Sequence, residues 1–185
     1  VTGLFPTAGH LKHGYNRHQV DAFFDQARSA YEKPESIDAV VTPLDVRRAS
    51  FDLRRAGYST GAVDAALDRL EIAFAERTRE VYVKHHGQDA WMAHLADRAK
   101  TLYPRLRRPA GDRFAHPGAF KHGYAASEVD SLLDRLTSYF DSGTPLTPAE
   151  VRSVLFSRKA GRKAYDERTV DAYLARAVEI LLGVH

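Results

Sequence analysis

The chain has 185 residues, 44% hydrophobic and 28% charged, and no cysteine. A chain of this length buries roughly 70% of its unfolded surface without a disulfide or metal staple, and the missing cysteines exclude disulfide frameworks, cysteine–zinc sites, iron–sulfur clusters and thiol nucleophiles and fit a reducing compartment. The net charge of +3 and pI near 9.2 are too mild to name nucleic acid or membrane as a partner, and no apolar run reaches the roughly 18 residues of a spanning helix.

The first residues, Val1 to Pro6, lack the basic start and apolar core of a signal peptide, and the absent initiator Met fits a piece of a longer chain. After Phe5 comes Lys12-His13-Gly14-Tyr15, then a helical stripe through Val20, Phe24, Ala27 and Tyr31. Asn16 is placed to cap that helix, with Gln19 completing a capping box. Thr42-Pro43-Leu44-Asp45 predicts a short helix: threonine caps, proline sits first, and the acid closes the box. Phe51 and Gly57-Tyr58 follow, then Ser59 as a cap and a second stripe through Val63, Leu67, Leu70 and Phe74. His86-Gly87 reads as the end of that long helix. Asp89 is expected to cap a connecting helix that carries Trp91, Met92, Leu95, Ala99 and Leu102 on one face, with Trp91 packing between the halves, and Pro104 ends or kinks it. Residues 98–113 hold Arg98, Lys100, Arg105, Arg107, Arg108 and Arg113 against one acid, Asp112. This basic stretch, with Pro109 and Gly111, reads as the domain boundary.

The second part repeats the first. Phe114 precedes Lys121-His122-Gly123-Tyr124 and the stripe Val129, Leu133, Leu136, Phe140. Thr147-Pro148-Ala149-Glu150 then opens a short helix that leads to Phe156. Ala164-Tyr165, the cap Asp166 and the stripe Val170, Leu174, Ala177, Leu181 complete the pattern. Each tyrosine is followed by Val-Asp: Val20-Asp21, Val63-Asp64, Val129-Asp130 and Val170-Asp171. The order is A-B-A-B, a tandem duplication of a two-repeat unit over about residues 5–84 and 114–182. Glycine before three of the tyrosines suits a loop position of positive φ. Nothing reads as a strand, so the fold class is all-α. The domains are 1–84, a connecting helix and basic linker over 85–113, and 114–185.

These residues resemble the DivIVA family of bacterial cell-division and polar-growth proteins. The pattern Thr-Pro-x-acid-Val, a phenylalanine, Gly-Tyr and Val-Asp is complete in the second copy. The fourth copy carries it with Ala164 for glycine, and the first and third carry its second half. The A-B-A-B order resembles the actinobacterial DivIVA-domain repeat proteins. The resemblance implies tandem helical repeats: four loop-helix units forming two pseudo-dimeric halves joined by a connecting helix. Repeat one would pair with two and three with four, inside a monomer or a weak homo-oligomer. The connection over 33–41 spans some 30 Å when extended, the length of a helix of about 20 residues. The family's loop tips offer apolar and basic residues to curved anionic membrane. Here the corresponding tip candidates are Lys12, His13, Arg55, Lys121, His122 and Lys163, with Leu11 and Phe120 as apolar substitutes.

No P-loop, dinucleotide fingerprint, HExxH or nucleophile elbow is present, so no enzyme is expected. His10 with His13 and His85 with His86 read as solvated loop histidines, and neither metal nor cofactor is expected. The recurrent aspartates read as structural, paired with Arg47, Arg152 or loop amides. The tyrosines read as core-edge residues whose hydroxyls find one partner, and the phenylalanines as loop anchors. The function expected is a cytoplasmic, non-enzymatic interaction module or scaffold with protein partners, linked to division, polar growth or the inner face of the membrane. The alternative is a nucleic-acid-binding protein using Arg105, Arg107, Arg108 and Arg113. A helix-turn-helix over Thr42–Leu70 is disfavoured by its long connecting loop.

Overall fold

A computed structural model describes residues 3–9, 12–32, 41–118 and 121–184. Leu11 and Phe120, His10 and residues 33–40 of the connection lie outside the described residues. The chain divides into two compact units, Val1–Glu80 and Val81–His185, each described by itself.

The first unit holds β1 (His13–Tyr15), α1 (Arg17–Glu32), α2 (Pro43–Arg48), β2 (Leu53–Arg55) and most of α3 (Thr60–His86). β1 and β2 pair antiparallel, His13 opposite Arg55 and Tyr15 opposite Leu53. Tyr15 and Tyr58 extend the pairing, each amide donating to the other's carbonyl at 2.9 Å. Thr42 caps α2 and Asp45 closes the box, as the local sequence dictates. Val20, Tyr58 and Val63 form one core cluster with Phe5, Phe24 and Phe51 against it. Ala27, Ala30, Val46 and Phe74 form another. The stripes thus face inward, except that Tyr31 at the end of its stripe is exposed.

The second unit begins within the last turns of α3 and continues with α4 (Gln88–Lys100) and α5 (Tyr103–Leu106). Then come β3 (His122–Ala125), α6 (Ala126–Ser142), α7 (Pro148–Ser153), β4 (Arg158–Ala160), a 3₁₀ turn, β5 (Ala164–Tyr165) and α8 (Glu167–Val184). β3 lies between β4 and β5, antiparallel to both. Its core joins Val129, Leu133, Leu136, Val170, Leu174 and Leu181, and it takes in Leu102, Leu106 and Phe114. Residues 98–113, read as a linker, therefore supply core residues to this unit. Trp91 is buried there, its Nε1 donating to the Gly183 carbonyl at 2.8 Å.

Three local expectations are corrected. The fold is mostly helical but contains short strands, β1 to β5. Strands of two to four residues are too short to show alternation, and their pairing partners lie far along the chain. Gln19 does not close a capping box. Its side chain exchanges hydrogen bonds with Asp52, donating to the carboxylate at 3.0 Å and accepting from the amide at 2.8 Å. Asp89 lies inside α4, whose N-cap is Gly87 at φ 88°. Asn16 and Asp166 do cap, accepting from the amides of His18 and Thr169.

The glycines before the tyrosines are also explained differently. Gly14, Gly57 and Gly123 do not have positive φ. A methyl at Gly14 would strike the Tyr58 carbonyl, and one at Gly123 would strike the Tyr165 carbonyl. The requirement is close approach of two backbones, not a left-handed turn.

Candidate functional site

The strand pairing gathers the described tip residues of the sequence reading at one loop end in each unit. In the first unit, His13 faces Arg55 across the ladder, and the Ala56 amide donates to the Lys12 carbonyl. Ala56 itself turns the chain at φ 53°. Lys12, His13, Arg54 and Arg55 are all exposed. In the second unit, β3 brings Lys121 and His122 against β4 and the turn that follows it, so that they lie with Lys159, Arg162 and Lys163. All five side chains are exposed. Arg158 is neutralised by Glu167 at 3.0 Å. Glu128, whose carboxyl is held below its usual range by hydrogen bonds from Ser157, also feels the charge of Lys159. Lys121, Arg162 and Lys163 have no acidic partner among the described residues.

Sequence reading missed Arg54, Lys159 and Arg162. Their signal was the density of basic residues around each tip, but the partner strand had to be known to assemble them. It also missed Leu155, 92% exposed just before Phe156.

Beneath each tip, tyrosines and aspartates from different motif copies meet. Tyr58 Oη donates to Asp21 at 2.9 Å and accepts from the Leu4 amide at 3.0 Å. The Tyr15 hydroxyl is pushed up by burial, then by the charge and hydrogen bond of Asp64. In the second unit, burial and Asp171 raise Tyr124 in the same way. Tyr165 Oη donates to Asp130 at 3.0 Å. Its hydroxyl is pushed up to about 12, first by burial and then through Asp130, against the opposing pull of the Arg113 and Gly111 amides. The aspartates are thus held by tyrosine hydroxyls, and Asp130 also by the Gly111 amide at 2.8 Å. Arg47 stands instead near Glu71, at 4.0 Å. The tyrosine hydroxyls and aspartates satisfy one another, which is what buried polar atoms require.

The four linker arginines do not form one surface. Arg113 is 7% exposed. Its guanidinium donates to the Asp130 carbonyl and pairs with Asp134, and its amide donates to Tyr165 Oη. Arg105 donates to the Arg113 carbonyl at 2.8 Å and stacks on Phe114. Arg107 lies over the Tyr103 ring, and Arg108 is exposed. Among the described residues no group of three or more His, Asp or Glu side chains is arranged to hold a metal, and no helix is long and apolar enough to cross a membrane.

Compared with family models, curated proteins and solved structures, the chain matches none of them.

Proposed function

We propose that this chain is a non-enzymatic interaction module of the DivIVA kind. Each unit is read as two loop-helix repeats paired within one chain, with basic loop tips for an anionic surface. The inner face of the cell membrane is the surface that fits the resemblance, and division or polar growth the setting. The intramolecular pairing is supported by the reciprocal contacts: in each unit the tyrosine of one motif copy reaches the aspartate of the other. One observation carries the contact surface, the unpaired Lys121, Arg162 and Lys163 at a single tip. Cations left without acids add attraction to an anionic membrane, about 1 kcal/mol for each Lys or Arg near the surface.

Vesicle flotation tests the reading. The chain is expected to float with vesicles containing phosphatidylglycerol, to stay down with neutral ones, and to be released by salt. Charge reversal at Lys121, Arg162 and Lys163 together is expected to abolish flotation. No flotation with anionic vesicles would overturn the membrane surface, and a salt-sensitive DNA shift in its place would put the nucleic-acid reading ahead. Sedimentation is expected to give a monomer or a weak association; an obligate dimer through the helix stripes would overturn the intramolecular pairing.

A further inference from the structure

A second basic feature of the Val81–His185 unit belongs to neither the tips nor the tyrosine–aspartate contacts. A cavity of about 340 Å³ opens between the α4–α5 corner and α8. Its apolar lining is Leu102, Ala172 and the Tyr173 ring; its polar lining is Thr101, Thr169, Arg105 and Arg176. The sequence sets this out simply: positions 169, 172, 173 and 176 share one face of α8. Ala172 is the small residue of that face, leaving room between the longer side chains of Tyr173 and Arg176.

The lining carries two guanidiniums and no carboxylate. The acids of α8 and its cap are engaged elsewhere. Asp166 accepts from the Thr169 amide, Glu167 pairs with Arg158, Asp171 is bonded to Tyr124, and Glu179 holds Arg98 at 2.5 Å. Arg176 has no acidic partner among the described residues. Arg105 is fixed from behind by the Arg113 carbonyl and the Phe114 ring. That leaves most of its five N–H donors uncommitted. The other polar groups are spent: Tyr173 Oη donates to the Leu102 carbonyl at 3.0 Å, Thr101 to that of Arg98, and Thr169 to that of Asp166. Recognition therefore falls to the two arginines, and the tyrosine contributes only its ring.

We propose that this cavity binds a small organic phosphate monoester, its dianion held by Arg105 and Arg176 and its carbon skeleton against Tyr173, Leu102 and Ala172. Guanidinium forks match phosphate oxygens in geometry and charge, and two of them suit a dianion better than a carboxylate. The volume lies at the lower end of small-molecule pockets, which run from about 300 Å³ upward, and holds more than the phosphate alone. The site shares no residue with the basic loop tips and does not rest on their reading.

Calorimetric titration of the full chain with ribose phosphate, ribose and inorganic phosphate tests this. Saturable binding is expected for ribose phosphate, weaker binding for inorganic phosphate and none for ribose. R176Q is expected to weaken binding roughly tenfold or more, the loss of one charge-assisted pair. A172E, at an exposed helix position, is expected to abolish it by placing a carboxylate in the cavity. Both variants keep the fold, to be checked by circular dichroism, and R135Q on another face binds as the parent does. No saturable binding of ribose phosphate, or unchanged affinity in R176Q and A172E, overturns the site. Binding confined to phosphatidic acid vesicles overturns the small-molecule ligand.

Discussion

Tyr58 and Tyr165 occupy matching motif positions, both fully buried, yet their hydroxyls face different surroundings. Asp130 is 6% exposed and shares its network with Arg113. Asp21 is half-buried and open to water. Removing the Tyr165 hydroxyl leaves the Arg113 amide and part of Asp130 without a partner. Y165F is therefore expected to cost about 1–3 kcal/mol, the penalty of an unsatisfied buried group. Y58F is expected to cost about 1 kcal/mol or less, because water replaces the hydroxyl at Asp21. Urea denaturation of both variants checks the order; equal losses would remove the distinction. The glycines make a second residue-scale case. G123A drives a methyl into the Tyr165 carbonyl and is expected to cost about 2 kcal/mol or more, since the strands must part. A164G, at the related position of the fourth copy, removes no hydrogen bond and is expected to cost much less. Comparison of the two unfolding midpoints measures this.

At the scale of elements, the short helices α2 and α7 were fully legible because their signal is local. Threonine, proline and an acid fall within four residues, and the box they predict forms in both. Glu150 shows its electrostatic consequence. Hydrogen bonds from Thr147 and the Arg135 guanidinium hold its carboxyl down at about 2. A carboxyl depressed on folding contributes stability above its ordinary range near 4.5, and that contribution is lost as pH falls through about 2. The stability difference between the parent chain and E150Q is thus expected to be present at neutral pH and to close over that acid interval. T147A is expected to cost about 1 kcal/mol, as loss of an N-cap does. Unfolding at stepped pH tests both. The strands were illegible for the opposite reason: β1 to β5 are too short to carry a periodicity, and only distant pairing makes them strands. Arg113 was read as part of a basic linker because its anchors, Asp130 and Asp134, lie 17 and 21 residues on. The tip residues were found one strand at a time, and Arg54, Lys159 and Arg162, which strand pairing brings beside them, were not.

For the whole molecule, the two units differ in how their cores are built. The second gathers one continuous cluster that includes residues from α4, α5 and the segment before β3. The first divides its buried residues between two smaller clusters. A fragment 81–185 is therefore expected to unfold cooperatively by itself. A fragment beginning at 114 loses Leu102, Leu106 and the Arg113 anchor and is expected to be unstable. Heat-capacity scans of the two fragments decide this; a stable 114–185 fragment would show that residues 85–113 are dispensable to the core.

The tyrosine–aspartate contacts also bear on how fast each unit forms. Tyr58 meets Asp21 across 37 residues of chain, and Tyr165 meets Asp130 across 35. Closing such loops takes its entropic toll before any contact rewards it. The helices between can form within microseconds from local interactions, but they stay loosely associated until two strands remote in sequence meet in register. Despite its high helix content, each unit is thus set to fold at the pace of a mixed α/β domain rather than a simple bundle.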